Sequence, residues 1–158
     1  MSVRLTIYVG TMTGTAELVA QEIEDWLAEN DGDAEIVLMD DLDHTAFEEE
    51  GPILICTSTY GQGDVPDNAQ ALFDALSKVR PSLGHVQFGL IGLGDSTYQQ
   101  TFCFGGKRFD KLLGELGATR IGEAFYHDAS SGDLPEEDAL EWFKSWVPQI
   151  TEERRQAA

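Results

Sequence analysis

Residues 53–63 read ILICTSTYGQG, and this stretch decides the fold. Its first five residues, Ile53–Thr57, form an almost continuous apolar run, which is typical of a central strand covered on both faces of a parallel sheet. Hydroxyl, aromatic and glycine residues follow at once, from Ser58 to Gly63. The stretch therefore predicts a buried strand whose carboxyl end opens into a loop of unusual composition.

The chain on either side alternates between strand-like and helix-like periods. Further strands are predicted at Val3–Val9, Ala34–Asp40, Phe88–Leu93 and Ile121–Tyr126, and a short helix at Asp43–Glu50. Four stripes of apolar residues recur at helical spacing: Ala16, Val19, Ala20, Ile23 and Leu27; Ala69, Leu72, Phe73 and Leu76; Phe109, Leu112, Leu113 and Leu116; and Ala139, Phe143, Trp146, Val147 and Ile150. Gly32 and Gly117 lie where the first and third helices are expected to end, and Pro135 lies near the expected start of the last helix.

This alternation predicts an α/β fold with a doubly wound, five-stranded parallel sheet and helices on both faces, in one domain spanning residues 1–158. Ligands of such sheets bind beyond the carboxyl ends of the strands, where the strand order reverses. The unusual loops follow the first, third and fourth strands, which predicts the order 2-1-3-4-5.

The first of these loops, Gly10–Glu17, opens directly onto a helix and carries three threonines at alternating positions. Hydroxyls and the unpaired N–H groups of a helix start suit a phosphate. No lysine follows Gly14, so the loop is not a nucleotide-triphosphate loop of the Walker type. An ordinary threonine-capped helix start remains the alternative.

The loops after the third and fourth strands each supply an aromatic side chain, Tyr60 and Tyr98, and two such rings can enclose a flat ligand. Ser58 and Thr59 are expected to reach the same anion as the first loop, and Asp67 or Asn68 is expected to N-cap the next helix. Residues 10–16, 58–68 and 94–105 contain no lysine or arginine. Gly92-x-Gly94, at the start of the fourth-strand loop, lacks the third glycine of a dinucleotide fingerprint, so NAD binding by that motif is not expected. A planar ring with one phosphate is therefore the expected ligand.

Ten lysines and arginines against 29 aspartates and glutamates give a formal net charge of −19 at pH 7. This charge disfavours nucleic acid and anionic membranes and favours association with basic proteins. Cys56 and Cys103 are too few for a disulfide framework and are expected to pack in the interior, which fits a reducing cytoplasm. The three histidines share no metal-ligand spacing and are assigned to loops or the surface.

Three motifs resemble those of the flavodoxin family. The pattern Thr11-x-Thr13-Gly14-Thr15 resembles its phosphate loop, and residues 57–64 and 93–98 resemble its two ring-binding loops. The ring loops are especially similar to the FMN domains of sulfite reductase and cytochrome P450 reductase. The length and residues 63–68 are similar to short-chain bacterial flavodoxins of the MioC type.

The resemblance implies a noncovalently bound FMN. It implies that Tyr60 and Tyr98 flank the ring and that the Gly61 peptide turns its carbonyl toward ring nitrogen N5 on reduction, a backbone change that glycine permits. The implied phosphate contacts are Thr11, Met12, Thr13, Gly14, Thr15 and Ala16, with Ser58 and Thr59 close by. The other implied cofactor contacts are Gly63, Leu93, Gly94, Asp95, Thr97, Phe102 and Cys103.

The expected function is a diffusible, low-potential one-electron carrier that has no catalytic residues of its own. A basic reductase of the flavodoxin or ferredoxin NADPH type would load it through an acidic rim around Asp64, Asp67 and Asp95, and acceptor enzymes would unload it. The chain is expected to be a cytoplasmic monomer. One alternative is a flavin-dependent NAD(P)H or quinone oxidoreductase with its own substrate. Another is a phosphoacceptor signalling domain, but Gly10-Thr11 and Ser58-Thr59 stand where that class needs aspartates.

Overall fold

A computed structural model of the chain describes residues 3–11, 14–48, 51–59, 63–97 and 102–157. Its strands are β1 Arg4–Gly10, β2 Asp33–Leu38, β3 Ile53–Thr57, β4 Gln87–Gly94, β5 Thr119–Arg120 and β6 Phe125–Asp128. Its helices are α1 Thr15–Glu29, α2 Asp67–Val79, α3 Phe104–Glu115 and α4 Pro135–Ala157. Gly117, at φ +104°, follows the end of α3 as predicted.

The strands form one parallel sheet in the order β2-β1-β3-β4, with β5 and β6 both paired to β4. These two short strands occupy successive parts of one position, so the predicted order 2-1-3-4-5 is confirmed. The prediction of one continuous strand at Ile121–Tyr126 is wrong, because Ile121–Ala124 separates the two pieces. Gly122 lies at φ +70°, a left-handed conformation that cannot continue a strand.

Strand register places the carboxyl ends of the strands in one row. Gly10 is paired with Thr57, Thr57 with Gly92, and Gly92 with Tyr126. The loops that follow β1, β3 and β4 therefore leave the sheet side by side, at the edge where a doubly wound sheet binds its ligand.

Two apolar layers cover the sheet, and the four predicted helical stripes supply them. Helices α1 and α4 pack on one face, where Ile23, Phe143 and Trp146 are fully buried. Helices α2 and α3 pack on the other face, around Leu72 and Phe109. No helix in the described part of the chain is long and apolar enough to cross a membrane.

The predicted short helix at Asp43–Glu50 is wrong over its described residues. Residues 44–47 form turns, with Ala46 N–H donating to the Asp43 carbonyl at 3.0 Å and Glu48 N–H to the Thr45 carbonyl at 3.1 Å. Phe47 is buried there, and its ring meets that of Tyr8 edge to face, 5.3 Å between centroids. One buried aromatic side chain therefore anchors this segment, and no helical stripe is needed.

Candidate functional site: the carboxyl edge of the sheet

The loop after β1 enters α1 through a glycine. Gly14 is the N-cap at φ 94°, none of the described side chains caps the helix, and the Gly14 N–H donates to Thr11 Oγ1 at 2.9 Å. The alternative of a threonine-capped start is therefore wrong. A Cβ on Gly14 would meet no described atom within 4 Å. The N-terminus of this 15-residue helix carries unpaired N–H groups and a partial positive charge, which suit a phosphate group.

The loop after β3 is fastened on both sides. Ser58 N–H donates to the Gly10 carbonyl at 2.9 Å, which ties this loop to the end of β1. Thr59 Oγ1 accepts the Gly105 N–H at 3.0 Å, which ties the loop to the start of α3. The predicted contacts at Met12, Thr13, Tyr60, Gly61 and Tyr98 lie outside the described residues.

The prediction that Asp67 or Asn68 N-caps α2 is wrong. Pro66 holds the N-cap position, and no side chain in the described part of the chain caps the helix. Asn68 reaches back toward β1, where its Oδ1 accepts the Thr11 N–H at 2.7 Å. Only tertiary packing brings the backbone of the first loop within hydrogen-bonding distance of the Asn68 amide.

The loop after β4 is braced by two carboxylates. Asp95 Oδ1 accepts the Thr97 N–H at 2.9 Å, and Asp128, at the end of β6, accepts the Ser96 N–H at 2.9 Å. Hydrogen bonds from Ser96, and then from Ser130, hold the pKa of Asp128 well below its ordinary value. Asp128 therefore stays ionised and ties the fourth-strand loop to the sheet edge.

The start of α3 packs tightly against these loops. A Cβ on Gly94 would lie 2.6 Å from the Cys103 backbone nitrogen. The Cys103 thiol is buried 3.6 Å from the carbonyl oxygens of Gly92 and His127, and burial raises its pKa to about 12. Burial likewise raises the pKa of Cys56 to about 12. Both cysteines are interior packing residues, as expected, and the Cys103 side chain faces the sheet.

Two cations near the start of α3 were not predicted from the sequence. Arg108 Nε donates to the Gly63 carbonyl at 2.6 Å, and its guanidinium lies 3.8 Å from Asp64. The Lys107 ammonium lies between 5.3 and 5.6 Å from the centres of three aromatic rings, those of Phe102, Phe104 and Tyr126. Both residues follow the last loop directly. Counting helical positions onward from Cys103 would have predicted that their side chains lie near the start of α3.

The assignment of all histidines to loops or the surface is wrong for His127. This residue lies in β6 with a side chain that is 4% exposed, and its Nδ1 is 3.2 Å from Asp138 Oδ2. Among the described residues, no cluster of histidine, cysteine, aspartate and glutamate can hold a metal ion.

The structure defines a doubly wound α/β protein in which three loops leave the carboxyl edge of the sheet side by side. The family model for flavodoxins matches residues 7–142, and the chain belongs to the flavodoxin family. It is 40% identical to flavodoxin YqcA of Escherichia coli K12, over 89% of this chain and 93% of that protein. It is 37% identical to protein MioC of the same organism, over 90% and 95% of the two chains.

A solved structure agrees with this assignment. A cysteine-to-alanine mutant of a flavodoxin from Pseudomonas aeruginosa superposes with a TM-score of 0.82 at 35% identity, covering 94% of this chain and 99% of that one. Members of the family are electron carriers that bind FMN, and FMN is the cofactor of this chain. The predicted family, fold and cofactor are confirmed.

Proposed function

We propose that this chain carries electrons one at a time and at low potential, on noncovalently bound FMN at the carboxyl edge of the sheet, and converts no substrate of its own. The main support is that hydrogen bonds fasten the described parts of the loops after β3 and β4 to neighbouring segments. Ser58 N–H donates to the Gly10 carbonyl at the end of β1, Gly105 N–H at the start of α3 donates to Thr59 Oγ1, and Ser96 N–H donates to Asp128 Oδ1 at the end of β6. Loops fixed in this way can hold a ring and a phosphate with little rearrangement.

The phosphate is assigned to the open start of α1 and the ring to the loops after β3 and β4. Residues 11–16 hold the phosphate, Ser58 and Thr59 lie close to it, and Tyr60 and Tyr98 flank the ring. The remaining contacts are Gly63, Leu93, Gly94, Asp95, Thr97, Phe102 and Cys103. Cys103 contacts the ring through its backbone, because its thiol is turned into the interior.

FMN, when bound, supplies the reversible uptake of electrons, and the protein sets how strongly each redox state is held. Full reduction places a negative charge on the ring, and the whole chain carries a formal net charge of −19. One carboxylate about 8 Å from that charge opposes it by roughly 2 kcal/mol at an effective dielectric constant of about 20. This energy corresponds to a potential lowered by about 90 mV for one electron.

A basic reductase is the proposed electron donor, and redox enzymes with a basic docking face are the proposed acceptors. The exposed carboxylates of Asp64 and Asp67 border the rim, although Arg108 partly neutralises Asp64. Electrostatic attraction of this kind accelerates encounter and weakens with salt. We propose that the chain works as a monomer in the cytoplasm.

An anaerobic, stepwise redox titration of the purified protein, followed by absorption, tests this function. We expect yellow protein with one FMN per chain and two separate one-electron steps, the second at a potential below that of free FMN. A single two-electron step, or potentials equal to those of free FMN, would contradict the proposal. Rapid oxidation of NADPH without any added reductase would indicate an enzyme with its own substrate instead.

A further inference from the structure

Asn68 links three parts of the molecule through one side chain. It is the second residue of α2, and it is half-buried against the end of β1. Its Oδ1 accepts the Thr11 N–H at 2.7 Å, and its Nδ2 lies 3.2 Å from both the Val9 carbonyl oxygen and Asp40 Oδ2. A primary amide can accept and donate at once, and both capacities are used here.

A chain of hydrogen bonds continues from Asn68 to the start of α1. Asn68 holds the Thr11 N–H, Thr11 Oγ1 accepts the Gly14 N–H at 2.9 Å, and the Gly14 carbonyl accepts the Leu18 N–H at 3.0 Å. Gly14 is the N-cap of α1 and takes a left-handed conformation. The amide on α2 is therefore connected to the turn that opens α1.

This contact is not needed to begin the helix on which Asn68 sits. Pro66 occupies the N-cap of α2, and Ala69 N–H donates to the Pro66 carbonyl at 2.8 Å. All three partners of the Asn68 side chain lie on other segments, at the ends of β1 and β2. The side chain therefore contacts Thr11 of the first loop and does not cap α2.

We propose that Asn68 is a positioning residue for phosphate binding: it holds Thr11 and, through the Gly14–Thr11 hydrogen bond, the start of α1, and so raises the affinity for the phosphate of FMN. The inference rests on the proposed function of that loop as the phosphate site. Neither side-chain atom of Asn68 that makes these bonds needs to touch FMN. Its effect is preorganisation, since a loop already held in place loses less conformational freedom on binding.

The test compares FMN with riboflavin, which has the same ring and no phosphate. The flavin-free full chain is titrated with each compound by calorimetry, for wild type, Asn68→Ala, Asn68→Asp and the control Gln70→Ala. Gln70 lies on the same helix, but its side chain donates to the Val65 carbonyl at 2.9 Å, away from the first loop. We expect Asn68→Ala to weaken FMN binding by about tenfold, the equivalent of one or two neutral hydrogen bonds, and riboflavin binding by less than about twofold. Gln70→Ala should leave the FMN-to-riboflavin ratio unchanged.

Asn68→Asp provides a second test that preserves side-chain shape. The carboxylate can still accept the Thr11 N–H, but it cannot donate to Val9 and it faces the Asp40 carboxylate. We expect a loss of FMN affinity that Asp40→Asn partly restores in the double variant, since the added amide removes the repulsion. If Asn68→Ala fails to fold, the comparison of Asn68→Asp with the double variant tests the positioning role of Asn68.

The possible outcomes distinguish the phosphate site from the positioning role. Equal affinity of wild type for FMN and riboflavin would overturn the proposed phosphate site itself. If wild type discriminates but the Asn68 variants keep its FMN-to-riboflavin ratio, or lose both ligands equally, the positioning role is refuted and the phosphate site stands. An Asn68→Asp loss that Asp40→Asn does not relieve would also count against the role.

Discussion

Replacing Gly105 by alanine tests how closely α3 packs against the loop after β3. Gly105 is buried, and a Cβ there would lie 2.2 Å from the Ser58 carbonyl oxygen and 3.2 Å from the Thr59 Cα. These are backbone atoms, which cannot rotate away as a flexible side chain can. The helix and the loop must therefore separate by about 1 Å to reach ordinary van der Waals contact.

The size of the effect follows from two opposing terms. Forcing an extra carbon into a packed interior destabilises a protein by about 1–3 kcal/mol, whereas alanine favours a helix over glycine by up to about 1 kcal/mol. Gly114 isolates the second term, because it lies in the same helix and a Cβ there meets no described atom within 4 Å. We expect Gly114→Ala to stabilise the chain slightly and Gly105→Ala to be about 1–3 kcal/mol less stable than Gly114→Ala.

The displacement should reach the cofactor site as well. Ser58 N–H is bonded to the Gly10 carbonyl, so moving Ser58 strains the joint between the first loop and the loop after β3. Loss of one such bond is worth about 1 kcal/mol, and we expect FMN to bind about fivefold more weakly in Gly105→Ala. Gly114→Ala should bind FMN like wild type.

Urea unfolding of both flavin-free variants, followed by far-ultraviolet circular dichroism, measures the free energy of unfolding, and calorimetric titration measures FMN affinity. Working without flavin matters because bound ligand stabilises the fold by mass action and would mix the two effects. Equal stability and equal FMN affinity in the two variants would refute the packing argument.

Three further predictions concern other residues. The pKa of Asp128 is held below its ordinary value, so its carboxylate stabilises the fold above a pH of about 4 and this contribution disappears as the pH falls further. The urea concentration at the unfolding midpoint should fall less steeply between pH 5 and about pH 3 in Asp128→Asn than in wild type. An equally steep fall in both proteins would count against the stabilising role of the Asp128 carboxylate. Burial raises the pKa of Cys56 and Cys103 to about 12, so both thiols stay protonated at pH 8. We expect iodoacetamide at pH 8 to modify neither thiol in the folded protein and both thiols in urea. Rapid labelling of the native chain would disprove this prediction. Trp146 is fully buried and its Nε1 donates to a backbone carbonyl at 2.8 Å, so Trp146→Phe should lower the free energy of unfolding by about 1–3 kcal/mol, and a neutral result in urea unfolding would contradict the contact.

Local patterns were enough to predict the order of strands and helices, the two-faced core and the three loops at the carboxyl edge. Apolar runs such as Ile53–Thr57 and stripes such as that around Leu72 repeat with the period of the structure they form, so each can be recognised without knowing its neighbours. The predicted elements were wrong in two places, where a single residue interrupted the expected pattern. Gly122 broke the fifth strand, and Phe47 anchored turns where a helix was expected.

The sequence by itself determined the class of fold, the acidic surface and the hydroxyl and glycine residues offered to a cofactor. Only the tertiary structure decided what those residues contact: Asn68 holds the first loop and caps no helix, His127 is buried, and Arg108 reaches Gly63 and Asp64. The physical reason is the separation along the chain between the residues that determine each feature. Secondary structure follows from neighbours a few positions apart in the chain, whereas a side-chain amide, an imidazole or a guanidinium takes its partner from whichever distant backbone the packed sheet brings within about 3 Å.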